Sequence, residues 1–272
     1  DDVQLFADAS SRFGDLERIE VLKGPQGTLY GGSNIGGAVK FVSKRPTMGE
    51  DSGRIKVQAG GQDSKDYELS GNIAISDSWA MRVFAFNRDD KGFLTNPNSG
   101  GQNQPVDVGA YEEEGYRISV AGSLSDTLSL YASHRRNEYS GPVNFWAREM
   151  GSPGNFDYKH ELDTGRNPTH DRETNGTTLE LNLEMDGFDI TSISSYTDTQ
   201  SVRITDVDLT PFWFFNTTRP EEMEVTTQEI RLTSTGDGDF QWIAGYYNST
   251  YENKMNSYLH FGPGMVLPDT DF

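Results

Sequence analysis

The stretch LERIEVLKGPQGTLYGGSNIGGAVKFVSKRP, from Leu16 to Pro46, decides the fold. It opens as a short apolar strand pattern, passes through a glycine-dense turn region and returns as a second strand pattern that ends at Pro46. Glycine stands at positions 24, 27, 31, 32, 36 and 37, which is denser than the interior of a strand or helix tolerates. The spacing predicts a backbone that takes positive φ or lies very close to another surface.

A glycine-rich segment after a strand is also typical of a phosphate-binding loop, but two patterns are missing here. A P-loop needs glycine followed by Lys-Ser or Lys-Thr at a fixed spacing. A dinucleotide fingerprint needs glycines at i, i+2 and i+5. The stretch contains neither pattern. The residues alone therefore favour a compact, turn-rich packing unit over a nucleotide site.

The same stretch resembles the plug signature of TonB-dependent outer-membrane receptors. It departs mildly from the signature at Lys40, Phe41 and Ser43, where asparagine, an aliphatic residue and threonine are usual. The residues that match are Leu16–Val21, Lys23, Gly24, Pro25, Leu29, Tyr30, Gly31, Gly36, Gly37, Lys44, Arg45 and Pro46. The segments Gln228–Ser234 and Trp242–Tyr247 resemble a barrel hairpin of the same family.

Composition excludes some classes of protein and leaves others open. The 272 residues carry a net charge of −19, and clustered basic residues would be expected if nucleic acid were a partner. The chain has no cysteine and no apolar run long enough for a transmembrane helix. A transmembrane β-barrel remains possible, because its strands show only short alternating segments.

From Gly53 onward the apolar residues alternate with polar residues at period two, which indicates strands with one apolar and one polar face. Short polar turns separate some strands, whereas connections such as 90–111, 139–172 and 201–222 are long. This asymmetry is typical of outer-membrane barrels. The pattern predicts nine strands, at 53–60, 66–75, 79–89, 113–123, 127–137, 173–185, 188–200, 224–235 and 240–252.

The resemblance implies an all-β fold. Residues 1–47 would be the C-terminal part of a plug domain, and residues 53–272 would supply about nine antiparallel strands of an incomplete 22-stranded transmembrane β-barrel. A signal peptide and a TonB-binding segment would then precede Asp1, and the remaining barrel strands would follow Phe272. We therefore expect the sequence to be a fragment of a longer receptor.

No arrangement of residues predicts catalysis. The sequence has no G-x-S-x-G or H-E-x-x-H motif, and its four histidines are scattered. Asp206 and Asp208, like Asp237 and Asp239, lack the remaining ligands of a calcium loop. The sequence therefore predicts a protein that is not an enzyme and that holds no metal or cofactor of its own.

What the resemblance implies is active uptake of a scarce ligand across the bacterial outer membrane, most often a ferric siderophore. Its partners would be TonB, bound through the missing N-terminal segment, the ligand itself and outer-membrane lipid. Oligosaccharide or cobalamin uptake is an alternative ligand class. A passive porin or β-rich surface adhesin would explain the strands but not Leu16–Pro46, and a secreted β-sandwich enzyme fits the long loops poorly.

Two sets of residues are candidates for function. Plug signature charges, Glu17, Arg18, Glu20, Lys23, Lys44 and Arg45, could make polar contacts with a polar barrel wall. Ligand contacts are expected at the plug apex and in two aromatic patches of the long connections, because exposed patches of that kind usually mark binding. The candidate ligand-binding residues are Arg12, Phe13, Tyr139, Trp146, Phe212, Trp213 and Phe214.

Overall fold

The computed structural model describes residues 3, 14–24, 36–61, 63–92, 109–142, 168–207, 214–236 and 240–262. Within these segments the regular structure is entirely β, in agreement with the predicted fold class. The strands are β1 (Leu16–Lys23), β2 (Gly37–Ser43), β3 (Ser52–Ala59), β4 (Lys65–Ser76), β5 (Trp79–Asp90), β6 (Tyr111–Ser123), β7 (Leu128–Gly141), β8 (Thr169–Met185), β9 (Phe188–Asp206), β10 (Phe215–Ser234), β11 (Ile243–Met255) and β12 (Tyr258–Phe261). None of the described segments forms an apolar helix of membrane-spanning length.

The stretch that opened the sequence forms an antiparallel hairpin of β1 and β2, called here the hairpin. Its glycines take the conformation expected of them at Gly24, with φ of 83°, and at Gly37, with φ of 139°. A side chain at Gly37 would also collide with the carbonyl oxygen of Leu22 on the facing strand. Glycine is therefore required where β2 begins.

The other ten strands form one antiparallel sheet in which β3 to β11 follow each other in chain order. The nine predicted strands correspond to β3–β11, so their number and order are confirmed. The structure extends several of them toward the long connections, since β8 begins at Thr169, β9 ends at Asp206 and β10 begins at Phe215. The expected division into domains, 1–47 and 53–272, stays a prediction; residues 44–51 join the two sheets.

The short strand β12 was not predicted, and Pro220 explains its separation from β11. Glu221 of β10 pairs with Met255 of β11, and Thr218 pairs with Tyr258 of β12 in the same register. Between these pairs Pro220 has no N–H to donate, and only the Asn256 N–H bonds to its carbonyl, at 3.1 Å. Strand β12 thus continues β11 across a local break.

The large sheet has two faces because successive side chains of a strand alternate. The hairpin face, which contacts the hairpin, holds most of the buried residues, including Phe84, Ser119, Tyr131 and Ile193. The outer face carries exposed apolar side chains of several strands. Among them are Ile55, Val57, Tyr67, Leu69, Ile73, Ile118, Leu179, Tyr196 and Ile230.

Candidate functional site

A buried ionic junction fixes the start of the hairpin to the large sheet. Arg82 of β5 donates to both carboxylate oxygens of Asp15, from Nε at 2.7 Å and from Nη2 at 2.6 Å. The Asp15 and Arg82 side chains are only 4% and 11% exposed. Two-pronged contact between a guanidinium and a carboxylate fixes both orientation and distance. Asp15 therefore determines where the hairpin docks on the sheet.

Arg117 of β6 completes this junction and connects it to the C-terminal residue of β2. Its Nη2 donates to Oδ2 of Asp15 at 3.2 Å and to the Asp15 backbone oxygen at 3.1 Å. Its Nη1 donates to the hydroxyl of Ser43, the last residue of β2, at 3.0 Å. The backbone N–H of Lys44 bonds to the Asp15 oxygen at 3.0 Å. One arginine thus holds both the segment that enters the hairpin and the residue that ends it.

The second attachment follows directly after β2. Arg45 donates two hydrogen bonds to the Glu180 carboxylate on β8, at 2.9 Å and 2.6 Å. The same guanidinium lies 4.3 Å from the ring centre of Tyr131 on β7. The Arg45 side chain is 42% exposed, so water screens this pair more than it screens Asp15 and Arg82. The attachment at Arg45 is therefore the weaker of the two.

Asn72 of β4 anchors the segment that joins the hairpin to β3. Its amide nitrogen donates to the backbone oxygens of Thr47, at 2.8 Å, and Glu50, at 2.6 Å. Its side-chain oxygen accepts the Thr47 N–H at 2.9 Å. This buried side chain satisfies three backbone groups, so the connecting segment is held where it crosses the sheet.

The signature residues divide between contacts with the large sheet and contacts within the hairpin. Arg45 reaches the sheet, whereas Arg18 pairs with its own neighbours Glu20, at 2.6 Å, and Glu17, at 3.0 Å. The hydrogen bond to Glu20 raises the pKa of Arg18. The Gly24 N–H donates a backbone hydrogen bond of 3.3 Å to the Gly36 oxygen, at the end of the hairpin that lies far from Leu16 and Ser43. Pro25, Leu29, Tyr30 and Gly31 lie outside the described residues.

A cluster of aromatic and basic side chains occupies the hairpin face where the strands meet the long connections. Tyr139 of β7 is its centre, with the ring centres of Tyr111 and His170 at 6.2 Å and 5.9 Å. Arg172 lies 5.6 Å from the ring centre of Tyr139, and Arg88 lies 5.1 Å from that of Tyr111. Guanidinium groups above aromatic rings attract anionic and π-rich ligands. We call these five residues the Tyr139 cluster.

A cleft of about 480 Å³ near this end of the sheet is also lined by Tyr139 and Arg172, but most of its lining differs in chemistry from the Tyr139 cluster. Its side chains come mainly from two rows of the outer face. They include the carboxylates of Glu112, Glu114, Glu138, Asp171, Glu173 and Glu222. Such a surface repels anions, so the Tyr139 cluster is the better candidate for an anionic ligand.

Of the predicted ligand residues, the structure describes two and does not bring them together. Tyr139 lies on β7, and Phe214 lies directly before β10, three strands further along the sheet. Phe214 is 47% exposed. Its neighbour Phe215 stacks on Phe261 of β12 at 5.4 Å. Arg12, Phe13, Trp146, Phe212 and Trp213 lie outside the described residues.

Sequence reasoning missed most partners of the hairpin. Asp15, Asn72, Arg82, Arg117 and Glu180 were not singled out, because each is one polar residue in an alternating strand or at its start. The available signal was the alternation of the strands, since these residues occupy the polar positions of strands whose other positions are apolar. Alternation alone does not say which polar side chains contact another part of the protein and which contact water.

Comparison with known proteins supports the assignment of the hairpin region. Residues 6–38 match the family described as "TonB-dependent Receptor Plug Domain". The ferrioxamine receptor of Yersinia enterocolitica is 39% identical over 74 residues, which cover 27% of this chain and 10% of that protein. The pesticin receptor of the same organism is 24% identical over 284 residues, which cover 99% of this chain and 39% of that protein. The chain therefore spans well under half the length of these relatives.

Solved structures share the fold of the large sheet. The ferric yersiniabactin uptake receptor FyuA from Yersinia pestis matches with a TM-score of 0.78 at 21% identity, over 91% of this chain and 38% of that chain. The ferripyoverdine receptor of Pseudomonas aeruginosa matches with a TM-score of 0.71 at 16% identity, over 90% of this chain and 33% of that chain. The chain therefore resembles the TonB-dependent outer-membrane receptors in two ways, in its plug segment and in the fold of its large sheet.

Proposed function

We propose that this chain takes part in the TonB-dependent uptake of a ferric siderophore across the bacterial outer membrane. The observation that supports this most directly is the junction of Asp15 with Arg82 and Arg117, which holds the hairpin against the sheet. In this proposal the hairpin belongs to a plug that closes the lumen, the hairpin face lines that lumen, and the outer face meets lipid.

The strength of the attachments suits a plug that must hold at rest and move under force. Breaking a buried ion pair by removing one partner costs about 3–5 kcal/mol, and an exposed pair contributes less. The described contacts comprise one buried junction, the half-exposed pair of Arg45 with Glu180, and the Asn72 anchor. Such a set resists thermal opening and still yields to an energised partner, which we propose is TonB acting on a segment before Asp1.

The Tyr139 cluster supports an anionic ligand. Cation–π contacts and arginine donors recognise planar oxygen-rich groups such as catecholates and carboxylates, which also chelate ferric iron. Within the described segments no group of three or more His, Asp or Glu side chains is placed to hold a metal ion. We propose that iron arrives already chelated and that the protein, like the receptors it resembles, transports its ligand without catalysing a reaction. Arg12, Phe13, Trp146, Phe212, Trp213 and Phe214 remain proposed contacts.

Uptake of radiolabelled iron by cells that carry or lack the complete receptor gene tests the proposal. The chelates would be a ferric tris-catecholate and a ferric tris-hydroxamate, with cobalamin as a third ligand, each measured with and without TonB. We expect receptor-dependent and TonB-dependent uptake of a ferric chelate. Cobalamin uptake without uptake of a ferric chelate would favour the alternative ligand class. Uptake that is equal with and without TonB would favour a passive porin.

Replacing Tyr139 with alanine tests the site. Removing its ring contacts should weaken ferric chelate binding about tenfold, as expected for about 1.4 kcal/mol of aromatic and cation–π interaction. Tyr116→Ala is the matched control, because Tyr116 lies on the neighbouring strand β6 but points to the outer face beside His134. Equal affinities of the two variants would contradict a ligand site at Tyr139.

A further inference from the structure

Arg135 of β7 is a basic residue of the hairpin face that takes no part in the Asp15 junction, the Arg45 pair or the Asn72 anchor. It lies directly opposite Arg117 in the pairing of β6 with β7. Its side chain is half-buried, and within the described part of the chain no carboxylate or hydrogen-bonding group pairs with it. Like charges that face each other across two strands destabilise the pair. Something other than these described neighbours must offset this charge.

Among the described residues the charges around Arg135 do not balance even when the hairpin is docked. Asp15 pairs with Arg82 and Arg117, and Arg135 adds a third guanidinium on the next strand. Within this part of the chain one negative charge therefore faces three positive charges. A partly desolvated cation without a counter-charge is costly, so this position favours an incoming anion.

The absence of a side chain at Gly176 leaves room for the Arg135 side chain to extend over the next strand. Gly176 of β8 lies opposite Arg135, and a side-chain carbon at Gly176 would lie 2.7 Å from the Arg135 Nε. The guanidinium therefore lies across a strand that has no side chain at this point. Arg135 lies four positions before Tyr139 on β7, which places it about 13 Å deeper along the same face.

We propose that Arg135, together with Arg117, forms a second anion site, which binds an oxyanion group of the chelate after it leaves the Tyr139 cluster. The proposal rests on the proposed uptake function. Arg117 gives three of its five N–H donors to Asp15 and Ser43 while the hairpin is docked, so these three become available to a ligand when the hairpin moves. The site would thus bind anions more tightly in the open state and favour inward movement of the ligand.

The test compares uptake rate with surface affinity in the complete receptor. Arg135→Gln should lower the uptake rate of an anionic ferric tris-catecholate about tenfold, the loss expected for one charge-assisted hydrogen bond. The dissociation constant of that chelate at the cell surface should stay within about twofold, and uptake of a neutral ferric tris-hydroxamate should not change. Arg135→Lys should keep most of the uptake, since it keeps the charge.

Two further variants separate charge from damage to the fold. Arg136→Gln changes the adjacent arginine, which points to the outer face and pairs with Glu138 and Glu173, and should leave uptake unchanged. Gly176→Ala should displace the Arg135 side chain and reproduce the defect of Arg135→Gln at a normal receptor level.

Several results would overturn the site. Unchanged catecholate uptake in Arg135→Gln would do so, as would an equal loss for the neutral chelate or for Arg136→Gln. If the wild-type receptor carries the hydroxamate but not the catecholate, the anion site fails while the proposed uptake function stands. If it carries neither chelate, both proposals fail.

Discussion

On β6, Arg117 and Ser119 point toward the hairpin, whereas Tyr116 and Ile118 point away from it. The same alternation runs through the neighbouring strands and gives one sheet two opposite surfaces. On the hairpin face the charged groups of the Asp15 junction are buried and paired, while on the outer face large apolar side chains stay exposed. A soluble protein reverses this arrangement. The comparison fits our proposal that the hairpin face makes polar contacts that can break and that the outer face meets lipid.

The largest effect should come from Asp15→Asn on the hairpin face. Asparagine keeps the size of the side chain and tolerates the positive φ of 53° found at Asp15. It removes the charge that balances the buried Arg82 and Arg117, which should destabilise docking of the hairpin by about 3–5 kcal/mol. Hydrogen exchange at the amides of Leu16–Lys23 should accelerate strongly, and a large antibiotic should leak into cells. Unchanged exchange would show that Asp15 does not hold the hairpin.

The next largest effect should come from Ile118→Arg on the outer face. The Ile118 side chain is 42% exposed. An arginine on the lipid-facing side of a barrel costs about 2–4 kcal/mol near the bilayer centre. We expect less folded receptor in outer-membrane fractions, measured by heat-modifiable migration on gels, and Ile118→Leu should behave as wild type. If the arginine variant accumulates normally, the outer face does not meet lipid at this level.

Arg45→Met should have a smaller effect than Asp15→Asn. Methionine keeps an apolar stem against Tyr131 but loses both hydrogen bonds to Glu180. Because the pair is partly exposed, we expect a loss of about 1 kcal/mol in denaturant unfolding of the plug. Lys44→Met is the matched control, since the Lys44 side chain is exposed. A double-mutant cycle with Glu180→Gln measures the coupling, and a value near zero would remove Arg45 from the attachments.

The smallest effect should come from Asp63→Asn, in the connection between β3 and β4. Asp63 shares positive φ with Asp15, at 52°, but its side chain and that of its partner Lys91 are 70% and 58% exposed. The hydrogen bond from Lys91 lowers the pKa of Asp63. The pair therefore contributes stability above the ordinary pKa of about 4, and that contribution is lost as the pH falls through the lowered value. The thermal unfolding temperature at pH 7 should not change measurably. A large shift in that temperature would show that the exposed pair of Asp63 contributes to stability as the buried pair of Asp15 does.

How much could be predicted from sequence depends on the distance over which a signal acts. Alternation is local, so β3–β11 were found. Strand β10 was predicted to begin at 224, but it begins at Phe215. A proline such as Pro220 usually indicates a loop. Here the strand continues through Pro220, because its missing N–H faces only the break between β11 and β12. The partners of Asp15 could not be predicted, since Arg82 and Arg117 lie 67 and 102 positions away. Arg45 was found through the resemblance alone.

The chain-order pairing of β3 to β11 also has a consequence for how the molecule assembles. From β4 onward each of these strands pairs with its predecessor, so the sheet can grow one strand at a time. The hairpin of β1 and β2 precedes these strands in the chain, yet its anchors at Arg117 and Glu180 lie on β6 and β8. The hairpin therefore cannot dock until those strands have paired, and its docking marks a late step of folding.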